Sequence, residues 1–311
     1  LRHILSVMDS PHALVLGGGG VLGEVWLWAV LAGLERDERF DSRKCACYVG
    51  TSAGSIVAAL LSAGLGPRDR LGRYAIAPSE QVSTVTASAL ASALAGAAEI
   101  AASVSAPLAS LAVAATARPG ASLRGAALRA VPRGRRSLAQ LGEIVELQNA
   151  RWDGRLRVVA VERASGRRVV FGAPGAADAS VVVAVQASCA IPGVFRPVIA
   201  DGREYVDGGA WSPTNADVAD AGRGDRVLCL NPTGSLRATR RSLLGAFGPA
   251  SRAIAGAEAL VLRGRGARVR TINPDRESAA AMGTDLMSAA RREAVIEAGL
   301  AQGSRLAAEA H

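Results

Sequence analysis

Histidine is nearly missing from this chain: His3, His12 and His311 are the whole supply. Two lie at the termini, and His12 stands just before the first apolar run. A Ser-His-Asp triad is therefore excluded unless a tail folds back onto the site. Lysine is scarcer still. Lys44 stands alone, so the net charge of +9 rests almost wholly on arginine. That charge is spread along the sequence with only short clusters, such as Arg133, Arg135 and Arg136. No nucleic-acid-binding motif accompanies them, which argues against a nucleic-acid partner. Aromatic residues make up 4% of the chain, too few for a base-stacking platform. Cys45, Cys47, Cys189 and Cys229 lack metal-ligand spacing and sit in apolar runs, so they read as buried, reduced thiols. No long apolar run follows Leu1-Arg2-His3-Ile4-Leu5, so no signal peptide is expected. The expected location is the cytoplasm, with peripheral contact at a membrane.

What the chain has is glycine and aliphatic residues. Half of its 311 residues are hydrophobic, enough for one large α/β domain with close helix–sheet packing. The apolar run Ala13 to Leu16 stops at Gly17–Gly20, and a helical pattern follows from about Gly23 to Arg36. Cys45 to Val49 reads as a buried strand, and Gly50-Thr51-Ser52-Ala53-Gly54 as a tight turn opening another helix. Strand, glycine turn, helix, strand, turn, helix is a βαβα unit with parallel strands.

Residues 82–136 differ, being rich in alanine and serine; they read as a helical cap or insertion within a single domain spanning 1–311. Ile100 to Ala117 carries no charge and approaches the length of a membrane span. Pro107 interrupts it, and its composition favours cap helices over a spanning segment. Strand signals return from Leu156, with a hairpin over Leu156–Val161 and Val169–Gly172. The run Val181 to Val185 continues those signals up to Gln186-Ala187-Ser188. Tyr205-Val206 ends at Asp207-Gly208-Gly209, while Val227–Leu230 and Val269–Ile272 each end in Asn-Pro. From Ser288 onward the tail reads as helical.

Gly-x-Ser-x-Gly between a strand and a helix is a nucleophile elbow. Gly50 and Gly54 let the backbone pass closely, and Ser52 stands at a helix N-terminus that favours developing negative charge. With histidine excluded, the base must be a carboxylate. Asp207, at a strand end and followed by Gly208 and Gly209, is the candidate, although Asp-Gly is also an ordinary turn. Gly18-x-Gly20-x-x-Gly23 fits the dinucleotide fingerprint, but the second strand ends without the acid that would hold a ribose. The alternative is a loop whose bare amides form an oxyanion hole beside the serine.

Together these motifs resemble those of the patatin-like phospholipases, in which a glycine-rich loop, a Gly-x-Ser-x-Gly elbow and a later Asp-Gly-Gly/Ala occur in this order. The likeness extends through Ala187-Ser188-Cys189-Ala190-Ile191-Pro192-Gly193 to Pro213 and Asn215. It implies a three-layer α/β/α sandwich around a mainly parallel sheet, with Ser52 as nucleophile and Asp207 as general base. The amides of Gly18, Gly19 and Gly20 would form the oxyanion hole. It also implies a phospholipid or other acyl-ester lipid as substrate, cleaved without a metal or other cofactor. One departure stands out. The family usually places Arg or Lys where this chain has Leu22, which leaves open a weak or inactive lipid-binding member of the same fold. Glu24, just beyond, reads as an acid of the helix's first turn.

Overall fold

The structure is a computed structural model that describes residues 10–76, 118–235 and 247–309. Eight strands make one sheet: β1 (Ala13–Leu16), β2 (Cys47–Thr51), β3 (Leu156–Glu162), β4 (Arg168–Phe171), β5 (Val198–Ala200), β6 (Arg203–Asp207), β7 (Arg226–Leu230) and β8 (Arg268–Ile272). Their order is β5-β6-β3-β2-β1-β7-β8, with β4 also on β3. The strands β1, β2, β3, β7 and β8 run parallel; β4 and β6 are antiparallel to β3, and β5 to β6.

Successive strand residues face opposite sides of a sheet, and the core divides accordingly. Leu14, Tyr48, Val158 and Leu228 enter one apolar cluster; Val15, Val49, Val159 and Cys229 enter another. Over the first lie α1 (Gly20–Leu34), α2 (Ala53–Ser62) and α6 (Val181–Ser188); over the second lies α7 (Phe247–Gly264). This is the expected α/β/α sandwich. Also present are α3 (Pro67–Ile76), α4 (Arg118–Ala130), α5 (Ala139–Leu147), α8 (Arg276–Met282) and α9 (Arg292–Ala308). Of the expected cap, α4 and the residues after it are described, and 82–117 lie outside the described residues. Among the described residues no helix is long and apolar enough to cross a membrane.

The valine run 181–185 is helix, not strand. Ser180 caps it by accepting the Val183 N–H at 3.3 Å. Val181, Ala184, Val185 and Ser188 are buried at helical spacing, so packing against the sheet overrides β-branched preference. The helix α1 also begins earlier than the pattern suggests, at Gly20. Glu24 is therefore one turn in, where its Oε1 accepts bonds from Arg70 and Tyr74 of α3, each at 3.0 Å.

The tail helix α9 presses against α1 where three glycines bring the backbones together. A Cβ on Gly303 would stand 2.3 Å from the Val30 carbonyl oxygen, and one on Gly33 2.6 Å from that of Leu300. A Cβ on Gly299 would stand 2.7 Å from the Ala29 Cβ. Gly303→Leu forces these helices apart and is expected to cost about 1–3 kcal/mol of stability. A lowered urea midpoint at unchanged slope reads this out; an unshifted midpoint would refute the tight crossing.

Candidate active site

The sheet register brings the site together. On one edge of β3, β2 pairs with Leu156 to Val159, and β6 pairs with Ala160 to Glu162. Because β4 pairs with Val158 to Val161, it occupies the other edge. The strands β2 and β6 therefore share an edge end to end, running toward each other. Thr51 stops opposite Val159 and Asp207 stops opposite Ala160. Their C-terminal tips meet, and Ser52 and Asp207 project from the junction.

Ser52 adopts φ 50° and ψ −126°, a left-handed backbone that costs a non-glycine residue about 1–3 kcal/mol. Its neighbours have no room for side chains. A Cβ on Gly54 would lie 2.0 Å from the Leu16 carbonyl oxygen, and one on Gly50 2.4 Å from Ser55 Cα. The Ser52 hydroxyl donates to Asp207 Oδ2 at 2.7 Å, while Asp207 Oδ1 accepts the Gly209 N–H at 2.7 Å. Asp207 is 5% exposed. Burial pushes its carboxyl up to about 6, against the lowering effect of the bonds from Ser52 and Gly209. A general base gains proton affinity from such a shift.

Two braces hold this pair, and neither was singled out in the sequence for its role. The Ser188 hydroxyl, at the end of α6, accepts the Ser52 N–H at 2.9 Å and donates to the Val159 carbonyl at 2.6 Å. Two residues on, the Ala190 carbonyl accepts the Asp207 N–H at 2.9 Å. On the other side the Asn215 amide donates to Thr51 Oγ1 at 3.0 Å and to the Gly208 carbonyl at 3.4 Å. Buried Glu258 in turn accepts the Ala216 N–H at 2.8 Å, anchoring that loop. A family likeness marks the Ser188 and Asn215 segments, but the local sequence of neither tells which amide or carbonyl its side chain meets.

The glycine loop lies alongside. A Cβ on Gly18 would stand 3.2 Å from Ser52 Cβ, so the loop passes directly beside Ser52. The Gly18 N–H donates to the Pro213 carbonyl at 2.8 Å and is thereby committed to the scaffold. Gly19 and Gly20 N–H groups have no protein acceptor among the described residues. Gly20 takes φ 62°, with Met287 Sδ 2.2 Å from where its Cβ would be. Gly23 packs on Pro232, and Gly208 on the Val159 carbonyl. Leu22 is fully buried in the core and its N–H is capped by the Leu286 carbonyl at 2.9 Å.

His12 sits before β1, at the end of the sheet away from Ser52, with Nδ1 3.6 Å from an Asp225 oxygen. The four cysteines are free and buried. No cluster of His, Cys, Asp and Glu among the described residues could hold a metal ion.

Two solved structures are similar to this chain. The structure of VipD from Legionella pneumophila aligns at TM-score 0.44 and 15% identity, covering 97% of this chain and 67% of VipD. The type III effector ExoU aligns at TM-score 0.37 and 15% identity, covering 96% of this chain and 53% of ExoU. The chain thus spans about half the length of ExoU. A search of curated proteins finds no match. The model of the patatin-like phospholipases matches residues 14–220, a span that runs from β1 through the glycine loop, Ser52 and Asp207. With that match over most of its length, the chain belongs to the patatin-like phospholipase family, a family of lipid acyl hydrolases.

Proposed function

We propose that this protein cleaves carboxylic esters of lipids, as a phospholipase A or lysophospholipase, through a Ser52–Asp207 dyad. The 2.7 Å bond from the Ser52 hydroxyl to a buried carboxylate carries the reading. Asp207 takes the proton as Ser52 Oγ bonds to the ester carbonyl carbon. The Gly19 and Gly20 amides receive the resulting oxyanion, with Gly18 as the spacer that lets the loop approach. As the C–O bond to the alcohol breaks, Asp207 returns the proton to the departing oxygen. It then takes a proton from water, whose oxygen bonds to the acyl carbon, and returns that proton to Ser52 Oγ as the acyl–Oγ bond breaks and the fatty acid leaves. No step calls for a cofactor.

Ionised Asp207 is the working form, so activity falls as pH drops through its raised value of about 6. An ordinary aspartate would hold activity down to about pH 4. Initial rates on a short-chain p-nitrophenyl ester from pH 4 to pH 9 test this; an acid limb near pH 4 would remove Asp207 as a desolvated base. Buried Leu22, in place of the usual cation, favours the second reading of a weak or inactive lipid binder. Fluorophosphonate labelling separates the two. A working elbow reacts at Ser52, and an unlabelled serine would support the binder. A lipid-panel hydrolysis assay then assigns the substrate.

A further inference from the structure

One rim of the sheet carries arginine and exposed aliphatic surface together. The hairpin of β5 and β6 pairs Val198 with Tyr205 and Ala200 with Arg203. Since Tyr205 is level with Glu162 while Thr51 is level with Val159, this hairpin projects past the end of β2 where Ser52 sits. Its outermost strand shows Ile199, 68% exposed, opposite Glu204. Arg133 and the half-buried Glu204 pair at 2.8 Å, placing the loop after α4 against β6, the inner strand of this hairpin. That loop continues along the edge: the Arg136 carbonyl accepts the Arg196 N–H at 2.9 Å, and Arg196 Nε donates to the Arg135 carbonyl at 3.1 Å. Arg135 and Arg196 are exposed, and neither has a carboxylate partner among the described residues. The rim is left with a positive excess.

We infer that this rim, formed by Arg135, Arg196 and Ile199 at the dyad's end of the sheet, docks the protein on an anionic phospholipid bilayer. The choice of a bilayer rests on the proposed lipid hydrolysis; the rim itself is independent of it. Cationic side chains around an exposed aliphatic residue suit a headgroup layer, where charge attracts and the apolar side chain inserts. Protection of an edge strand would call for charge alone, without an exposed isoleucine. A nucleic-acid groove would call for stacking aromatics, and the exposed residue here is aliphatic.

The test is co-sedimentation of the full chain carrying Ser52→Ala, which keeps binding separate from turnover. The probes are vesicles of phosphatidylcholine alone and of phosphatidylcholine mixed equally with phosphatidylglycerol. Binding is expected for the mixed vesicles only and to weaken with salt. Each arginine near an anionic leaflet contributes roughly fivefold in partitioning. Arg135→Glu with Arg196→Glu should therefore lower it by roughly 25-fold or more, and Ile199→Asp should lower it further. Arg151→Glu with Arg223→Glu makes the same charge change before β3 and β7, at the far end of the sheet, and should retain binding. Equal loss in both pairs, no loss in the rim pair, or equally tight binding to a duplex oligonucleotide would overturn the proposal. Should short-ester hydrolysis survive Ser52→Ala, the dyad fails while these binding outcomes still stand or fall on their own.

Discussion

Asp207→Asn is expected to abolish hydrolysis of short acyl esters while making the protein more stable. Loss of the base should lower kcat by about 10⁴-fold or more, as in other dyads and triads that act as units. Ser52→Ala should match it. The stability gain follows from burial. The Asp207 carboxyl, raised from 3.8 to about 6, holds its proton more tightly in the folded chain than in the unfolded one. The folded state therefore loses stability as pH rises between those values, and the full cost remains above about pH 6. That cost is on the order of 3 kcal/mol. Asparagine is neutral, and its amide oxygen can still accept the Gly209 N–H. At pH 8 the variant should thus melt on the order of 5 °C higher, whereas at pH 4 the advantage should vanish. Retained activity would sink the dyad; a lower melting temperature at pH 8 would show that the buried charge is well solvated by its partners.

Ser188→Ala is the second large effect. It removes the acceptor of the Ser52 N–H and the donor to the Val159 carbonyl. Leaving such buried groups unpaired costs about 1–3 kcal/mol each, and the elbow loses a contact that holds φ at 50°. Small misplacement of a nucleophile reduces rate more than binding. The expected result is a kcat lower by roughly 10- to 100-fold, with KM little changed and fluorophosphonate labelling slowed by the same factor. A lower melting temperature with an unchanged labelling rate would confine Ser188 to the scaffold.

How much of this was legible in the sequence depended on distance along the chain. The elbow is local: a strand, five residues and a helix carry Ser52, and the glycines on either side declare the tight turn. Asp207 emerged by elimination, because histidine is so rare. What joins them is not local. The β2 and β6 tips meet only because both pair with one edge of β3, a fact of register that no spacing between Ser52 and Asp207 encodes. Ser188 was hidden twice, within a valine-rich stretch that reads as strand and as a hydroxyl with no visible partner. The Gly18 amide was expected among the oxyanion donors, yet its partner, the Pro213 carbonyl, lies far along the chain.

The crossing of α9 on α1 has a consequence for what counts as the working unit. The family match ends at residue 220, but α1 opens with the glycine loop and is backed by a helix well past that point. The Leu286 carbonyl also occupies an amide in the first turn of α1. The tail acts as a splint on the loop that would receive the oxyanion. A fragment cut at the end of the matched segment keeps Ser52 and Asp207 but strips the backing from the glycine loop beside Ser52.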